Sequence, residues 1–272
     1  MEDAARAAVK TSAAAADVLR RPPRGLVVLI YHRVGRRTYT EVDLPLEQFD
    51  DQIAWLASTL PVVSLGAGLD WVAGADDAAR GDLRVAVTFD DGTADFAELA
   101  VPVLERYQVP ATLYLATEFV EDQRLFPNDG VPLTWNALHD CLSTGLVSVG
   151  SHTHTHALLD RLPAALVPAE LDRSIDLVGE HLGVTAIDFA YPRAVMGSPA
   201  ADRAVRARFR SAALAGGHPN RPGSTDLHRV ARTPVQVSDG EAWFRRKALG
   251  GMALEEAIRR IVNRRRYSSA TT

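Results

Sequence analysis

Between Leu26 and Val235 seven short apolar runs alternate with segments of helical period, and this alternation restricts the possible folds more than any other feature of the chain. The runs are Leu26 to Tyr31, Val85 to Phe89, Pro110 to Thr117, Leu146 to Gly150, Ile187 to Tyr191, Ser211 to Ala215 and Val230 to Val235. Their length and their β-branched and aromatic content favour strands. Helical spacing appears at residues 46–60, where Leu46, Phe49, Ile53, Leu56 and Leu60 share a face, and again at 96–107, 134–141, 170–182 and 200–209. Pro61 to Leu65 reads as a further short strand, and Asp70 to Asp82 as a helix end followed by a surface loop. Strands joined by helices pair in parallel, because parallel pairing needs crossover connections. The expected fold class is therefore α/β, a distorted (β/α) barrel of about seven parallel strands. Barrels of this kind collect their chemistry at the carboxyl ends of the strands.

Several chemistry-bearing side chains fall at such ends. His32 follows the first run, Asp90 and Asp91 close the second, His152 follows the fourth and Tyr191 ends the fifth. Two adjacent carboxylates at a strand end repel unless a cation, a basic side chain or a shared proton sits between them. A metal ion is the economical answer, and imidazoles to complete its shell stand at His152, His154 and His156.

Composition narrows the function classes. A net charge of −4 over 272 residues gives no basic field to attract nucleic acid, so no nucleic-acid partner is expected. The single cysteine, Cys141, cannot form an internal disulfide and reads as a small buried apolar residue. No run reaches the roughly 18 apolar residues a membrane helix needs. Residues 1–24 read as an Ala-rich helical arm closed by Arg20 to Arg24, with Arg6 and Lys10 where an export signal would be apolar, so the expected address is the cytoplasm. Residues 25–249 form the barrel. Residues 250–272 read as a covering helix with Leu254, Ile258 and Ile261 on one face and Arg264 to Arg266 at its end, a basic tail offering weak contact to a membrane surface.

Thr88-Phe89-Asp90-Asp91-Gly92, followed some sixty residues later by His152-Thr153 and His156, resembles the polysaccharide deacetylase family, carbohydrate esterase family 4, also called the NodB-homology domain. The likeness extends through Tyr31 to Val34, Val109 to Thr112 and Phe189 to Pro192. Tyr31-His32 at the first strand end is similar to the circularly permuted subgroup of poly-N-acetylglucosamine deacetylases. The resemblance implies a deformed seven-stranded barrel that removes acetyl groups from sugars with a divalent metal: zinc first, with cobalt, nickel or iron as alternatives. It makes Asp91, His152 and His156 the metal ligands, Asp90 the general base and His32 the general acid, with His228 as the alternative acid. It makes the backbone N–H of Arg193 the oxyanion donor and puts Tyr191 and Pro192 on the substrate cleft. Two positions depart from the pattern. Ala190 stands where many relatives carry an arginine that orients the base, and Arg193-Ala194 stands where many have Tyr-Gly. The expected reaction is hydrolysis of the N-acetyl group of an amino sugar in a polysaccharide or glycan precursor. The alternatives are a non-catalytic metal- or sugar-binding relative and another metal-dependent amide hydrolase.

Overall fold

The structure is a computed structural model and describes residues 9–13, 24–74, 82–255 and 258. Its first strand, β1 (Gly25–Tyr31), leads into a short excursion in which β2 (Arg33–Val34) pairs in parallel with β3 (Asp43–Leu44). Six strands follow: β4 (Leu83–Asp91), β5 (Ala111–Leu115), β6 (Val147–Ser151), β7 (Asp188–Ala190), β8 (Ser211–Ala215) and β9 (Val230–Pro234). Strand β1 and strands β4 to β9 form a closed barrel in chain order with every neighbouring pair parallel, which is the expected architecture. Strand β1 pairs with β4 over its full length, Gly25↔Leu83 to Tyr31↔Phe89, and closes on β9 through Val28↔Arg232 to Ile30↔Pro234. The barrel is weakest between β6 and β7, which share only Ser151↔Phe189. That seam is the distortion.

Strand alternation divides the apolar residues into two shells. Val27, Leu29, Val85, Val87 and Phe89 face outward and pack against Phe49, Ile53 and Leu56 of helix α1 (Leu46–Thr59). Leu26, Val28, Ala86, Tyr114, Ala190, Ala213 and Val230 fill the barrel interior. They rest on Leu65, Leu69 and Val72 of α2 (Leu65–Gly74), which covers the amino-terminal end. Each such side chain withdrawn from water contributes about 1.5–3 kcal/mol before the entropy of ordering is counted.

Some elements differ from the sequence reading. Pro61 to Leu65 is not a strand: Val62 makes a lone bridge to Val85, and α2 begins at Leu65. Gly66 and Gly68 disguise α2 as loop, and at Gly68 an added Cβ would lie 2.8 Å from the Leu26 side chain, so the glycine allows the helix to approach the barrel. The segment from Phe96 to Tyr107 is a π-turn, Phe96–Ala100, running into a helix over Val101–Tyr107. Pro102 has no N–H for the α pattern, and the Val101 N–H bonds instead to the Phe96 carbonyl. The final barrel segment also holds a helix not foreseen, Gly240–Ala248, which buries only Phe244, Lys247 and Ala248 and so shows little apolar period. In the expected covering helix Met252 and Glu255 are buried and Leu254 is 40% exposed, so the packed face is not the one read from the sequence. Ile261 and Arg264 to Arg266 lie outside the described residues, as does most of the 1–24 arm. Among the described residues no helix is long and apolar enough to cross a membrane. Cys141 is buried, and burial pushes its thiol up to about 11.

Candidate active site

Strand β4 carries two adjacent acids, and simple alternation would send them to opposite faces. Asp90 points into the barrel interior, while Asp91 takes a left-handed φ of 79° that turns its carboxylate back to the same mouth. Gly92 completes the reversal at φ 105°, where a Cβ would lie 2.4 Å from Leu115 Cδ1. His156 and Thr153 also hold positive φ values, 60° and 66°. Strain of this kind costs of order 1 kcal/mol or more per residue and persists only where the surroundings impose it.

Asp91, His152 and His156 bring one ligand atom each to within 4.8 Å of one another. Asp91 Oδ1 lies 3.4 Å from His156 Nε2 and 3.7 Å from His152 Nε2, and the two imidazole rings are 4.9 Å apart. These separations exceed those of good N–H···O bonds. They suit donors surrounding one cation, since two ligands each about 2.0–2.1 Å from a tetrahedral ion lie roughly 3.3 Å apart. The tautomer also fits. His152 Nδ1 is 2.7 Å from the Ala190 carbonyl oxygen, which can only accept, so Nδ1 bears the proton and Nε2 presents a lone pair to the cluster. This bond crosses the weak β6–β7 seam. Burial lowers the His152 imidazole to about 4, with Asp90 pulling the other way, so the ring is neutral near pH 7, as a ligand must be.

Beside this cluster Asp90 is held by a residue the sequence reading did not single out. Arg232, fully buried on β9, donates from Nη1 to Asp90 Oδ1 at 2.6 Å and from Nη2 to Oδ2 at 2.9 Å, and Nη1 also reaches Thr88 Oγ1 at 3.1 Å. The arginine missing at position 190 is thus supplied from the strand that closes the barrel. Burial opposes ionisation of Asp90, but the Arg232 charge, helped by His152 and His32, keeps its carboxyl well below the usual carboxylate range. Arg232 also lies with its guanidinium carbon 4.8 Å from the centre of the Tyr114 ring. The one available signal was an arginine inside an apolar strand, at the parity of Val230, which faces inward.

His32 stands at the end of β1, close enough to act on the Asp90 charge, with Nδ1 buried and lacking a hydrogen-bond partner. Its backbone is anchored two residues on, where the Val34 N–H donates to Asp95 Oδ2 at 2.7 Å. His228 is elsewhere. It precedes β9, at the opposite end of that strand, and Nε2 bonds the Phe209 carbonyl at 2.8 Å, which removes it as the alternative acid. His154 faces Thr117 Oγ1 at 3.0 Å through Nδ1. Tyr191 is corrected as a cleft residue: alternation puts it on the outward face with Phe189, ring centres 5.0 Å apart, and its hydroxyl donates to Asp202 Oδ1. Pro192 is buried beside it and opens the turn Pro192–Ala194, in which Arg193 and Ala194 hold φ values of 53° and 55°.

Residues 77–212, half of the chain, match a family model described as polysaccharide deacetylase. The match starts just before β4 and ends in β8, leaving out the strands that bring His32 and Arg232. Among solved structures, IcaB from Ammonifex degensii is 27% identical with a TM-score of 0.72, the likeness covering 84% of this chain and 97% of that one. The deacetylase PplD of Streptococcus pyogenes, solved in complex with acetate, is 19% identical with a TM-score of 0.69 over 84% and 99% of the two chains. A de-N-acetylase from Aggregatibacter actinomycetemcomitans is 17% identical with a TM-score of 0.65 over 82% and 99%. The last two share the fold. No curated protein sequence matches the chain.

Proposed function

The chain belongs to the polysaccharide deacetylase family and is a hydrolase of carbon–nitrogen bonds other than peptide bonds, and from that premise we propose that it removes the N-acetyl group of an amino sugar in a polysaccharide or glycan precursor, releasing acetate. We propose a divalent metal, zinc first, as cofactor, with Asp91, His152 and His156 as its ligands. The observation that carries this reading is the pairing of the two acids with different partners: Asp91 faces two imidazoles, and Asp90 is locked to Arg232. A pure binding protein has no use for the second arrangement.

When bound, a divalent metal in such a site polarises the acetyl carbonyl and makes a water more acidic. The remaining chemistry falls to this chain's own groups. Asp90, ionised and fixed by two bonds, takes the proton of the attacking water. The backbone N–H of Arg193 is assigned to the oxygen of the tetrahedral intermediate. His32 delivers a proton to the leaving amine, so that amide and water become acetate and the free amine. An imidazole with an ordinary value near 6.5 can make that transfer at neutral pH.

The reading is tested by acetate release from N-acetylglucosamine, its short oligomers and a nucleotide-linked form, after chelation and after zinc or cobalt is restored. Metal-dependent release is the expected outcome. Folded, metal-loaded protein that releases no acetate from any of them overturns the proposal, and amine release without acetate points to another acyl group.

A further inference from the structure

A cleft of about 660 Å³ opens beside the mouth of the barrel, between the β2–β3 excursion and the turn at residues 127–131. Its size falls within the roughly 300–1,000 Å³ usual for ligand sites. Both walls continue directly from the strands that carry the reacting groups. Arg33 follows His32. On the other side the Ala94 N–H bonds the Val131 carbonyl at 2.8 Å and the Leu133 N–H bonds the Gly92 carbonyl at 3.0 Å, so the turn is fastened to the residues just after Asp91. Arg33 spans the cleft floor, donating to the carbonyls of Pro127 at 2.6 Å and Asn128 at 3.1 Å.

Charge selects the kind of ligand. Arg37 is paired with Glu98 at 2.8 Å, Arg33 is committed to those two carbonyls and faces Asp95, and Asp43 accepts from the N–H groups of Arg36 and Thr38. With its cations engaged, the cleft is poorly suited to a diphosphate. What it presents to solvent is the ring of Tyr39, 97% exposed, together with the polar side chains of Asn128 and Asp129. An aromatic ring held out in water offers a flat apolar platform with a polar tip, and a sugar ring has the complementary apolar C–H face and hydroxyl rim.

We infer that this cleft is a subsite for a second, uncharged sugar ring of the substrate chain, stacked on Tyr39, so that the glycan runs from the metal-ligand cluster past His32 and between Arg33 and Asn128. The inference rests on the deacetylase reading for the position of the reacting sugar. It makes the substrate an oligomer or polymer and not a nucleotide-linked sugar.

The test compares zinc-loaded wild-type and Tyr39→Ala protein on N-acetylglucosamine and on its β-linked pentamer, in 1,4- and 1,6-linked forms. Wild type is expected to prefer one pentamer, and Tyr39→Ala to cut that preference about tenfold through KM, the loss typical of one well-packed aromatic contact. Tyr39→Trp should restore it. An unchanged preference in Tyr39→Ala overturns the subsite. Calorimetric titration of the same pentamers into both proteins reads the subsite without turnover. Weaker binding to Tyr39→Ala supports it even if no acetate is ever released, in which case the deacetylase reading alone fails. Equal affinity, no binding of either pentamer, or tighter binding of uridine-diphospho-N-acetylglucosamine overturns it.

Discussion

Arg232 and Asp90 form a pair whose value is electrostatic and geometric together. Two N–H···O bonds fix the carboxylate plane, and the positive charge keeps Asp90 ionised in an interior that would otherwise neutralise it. Replacing Arg232 with Met leaves burial unopposed, so the Asp90 carboxyl moves upward. The acid limb of kcat against pH is then expected to shift to higher pH, with a loss of about a hundredfold at pH 7. Arg232→Lys keeps the charge, loses the fork and should recover part of the rate. An unmoved acid limb in Arg232→Met would separate Asp90 from the proton transfer. The neighbouring acid behaves differently: Asp91→Ala and His156→Ala should lose bound zinc and activity together, whereas Asp90→Asn should keep zinc by elemental analysis and lose turnover. Asp90, Asp91, His152 and His156 were legible in the sequence because their meaning lies in local spacing at two strand ends. Arg232 was not, because it gains a role only when β9 closes on β1 and faces a residue 142 positions earlier. Tyr191 misled for a related reason, since a strand-end position does not say which way the side chain turns.

Elements earn their place here by what they clamp. At the far side of the barrel Lys10, from the described residues 9–13, donates to Asp239 at 2.7 Å, and Lys247 of the Gly240–Ala248 helix donates to the same carboxylate at 2.8 Å and to the Pro234 carbonyl at 3.0 Å. All three charged groups are buried. One carboxylate thus ties an early segment, a late helix and the closing strand together. Asp239→Asn leaves two buried cations facing a neutral amide, and a loss of about 3 kcal/mol in urea unfolding is expected. Burial works against ionisation of Asp239, but Lys247 and Lys10 outweigh it and lower its carboxyl below the ordinary value. Between that lowered value and about 3.9 the unfolded chain binds more protons, so this contribution is present above about pH 4 and is lost as the pH falls further. The wild-type urea midpoint should therefore drop between pH 5 and pH 3 more steeply than that of Asp239→Asn. Equal slopes would mean the cluster contributes nothing through charge. Helix Gly240–Ala248 was hidden from sequence reasoning for the same cause that makes it useful: its inward face includes a lysine, which periodicity counts as solvent-facing.

On the scale of the whole molecule, the barrel itself was readable because seven apolar runs separated by helical segments leave few parallel topologies, while the seam between β6 and β7 was not, since one residue pair instead of several depends on how the closed sheet is sheared. The seam matters for stability as well as for chemistry. The three proposed ligands come from residues following β4 and β6, which flank β5, so a bound ion links two strand ends across a third, next to the weakest part of the barrel. That arrangement exists only in the folded chain, and an ion that binds the folded form alone stabilises it by mass action. At a free zinc concentration a hundred times Kd the gain is about 2.7 kcal/mol, which raises the thermal midpoint of a chain this long by roughly 5 °C. The shift should reverse on adding a chelator and be absent from His156→Ala and Asp91→Ala, with Asp90→Asn responding like wild type because its carboxylate is committed to Arg232. A shift of the same size in His156→Ala would mean that zinc stabilises the protein from another site, and the ligand assignment would have to be redrawn.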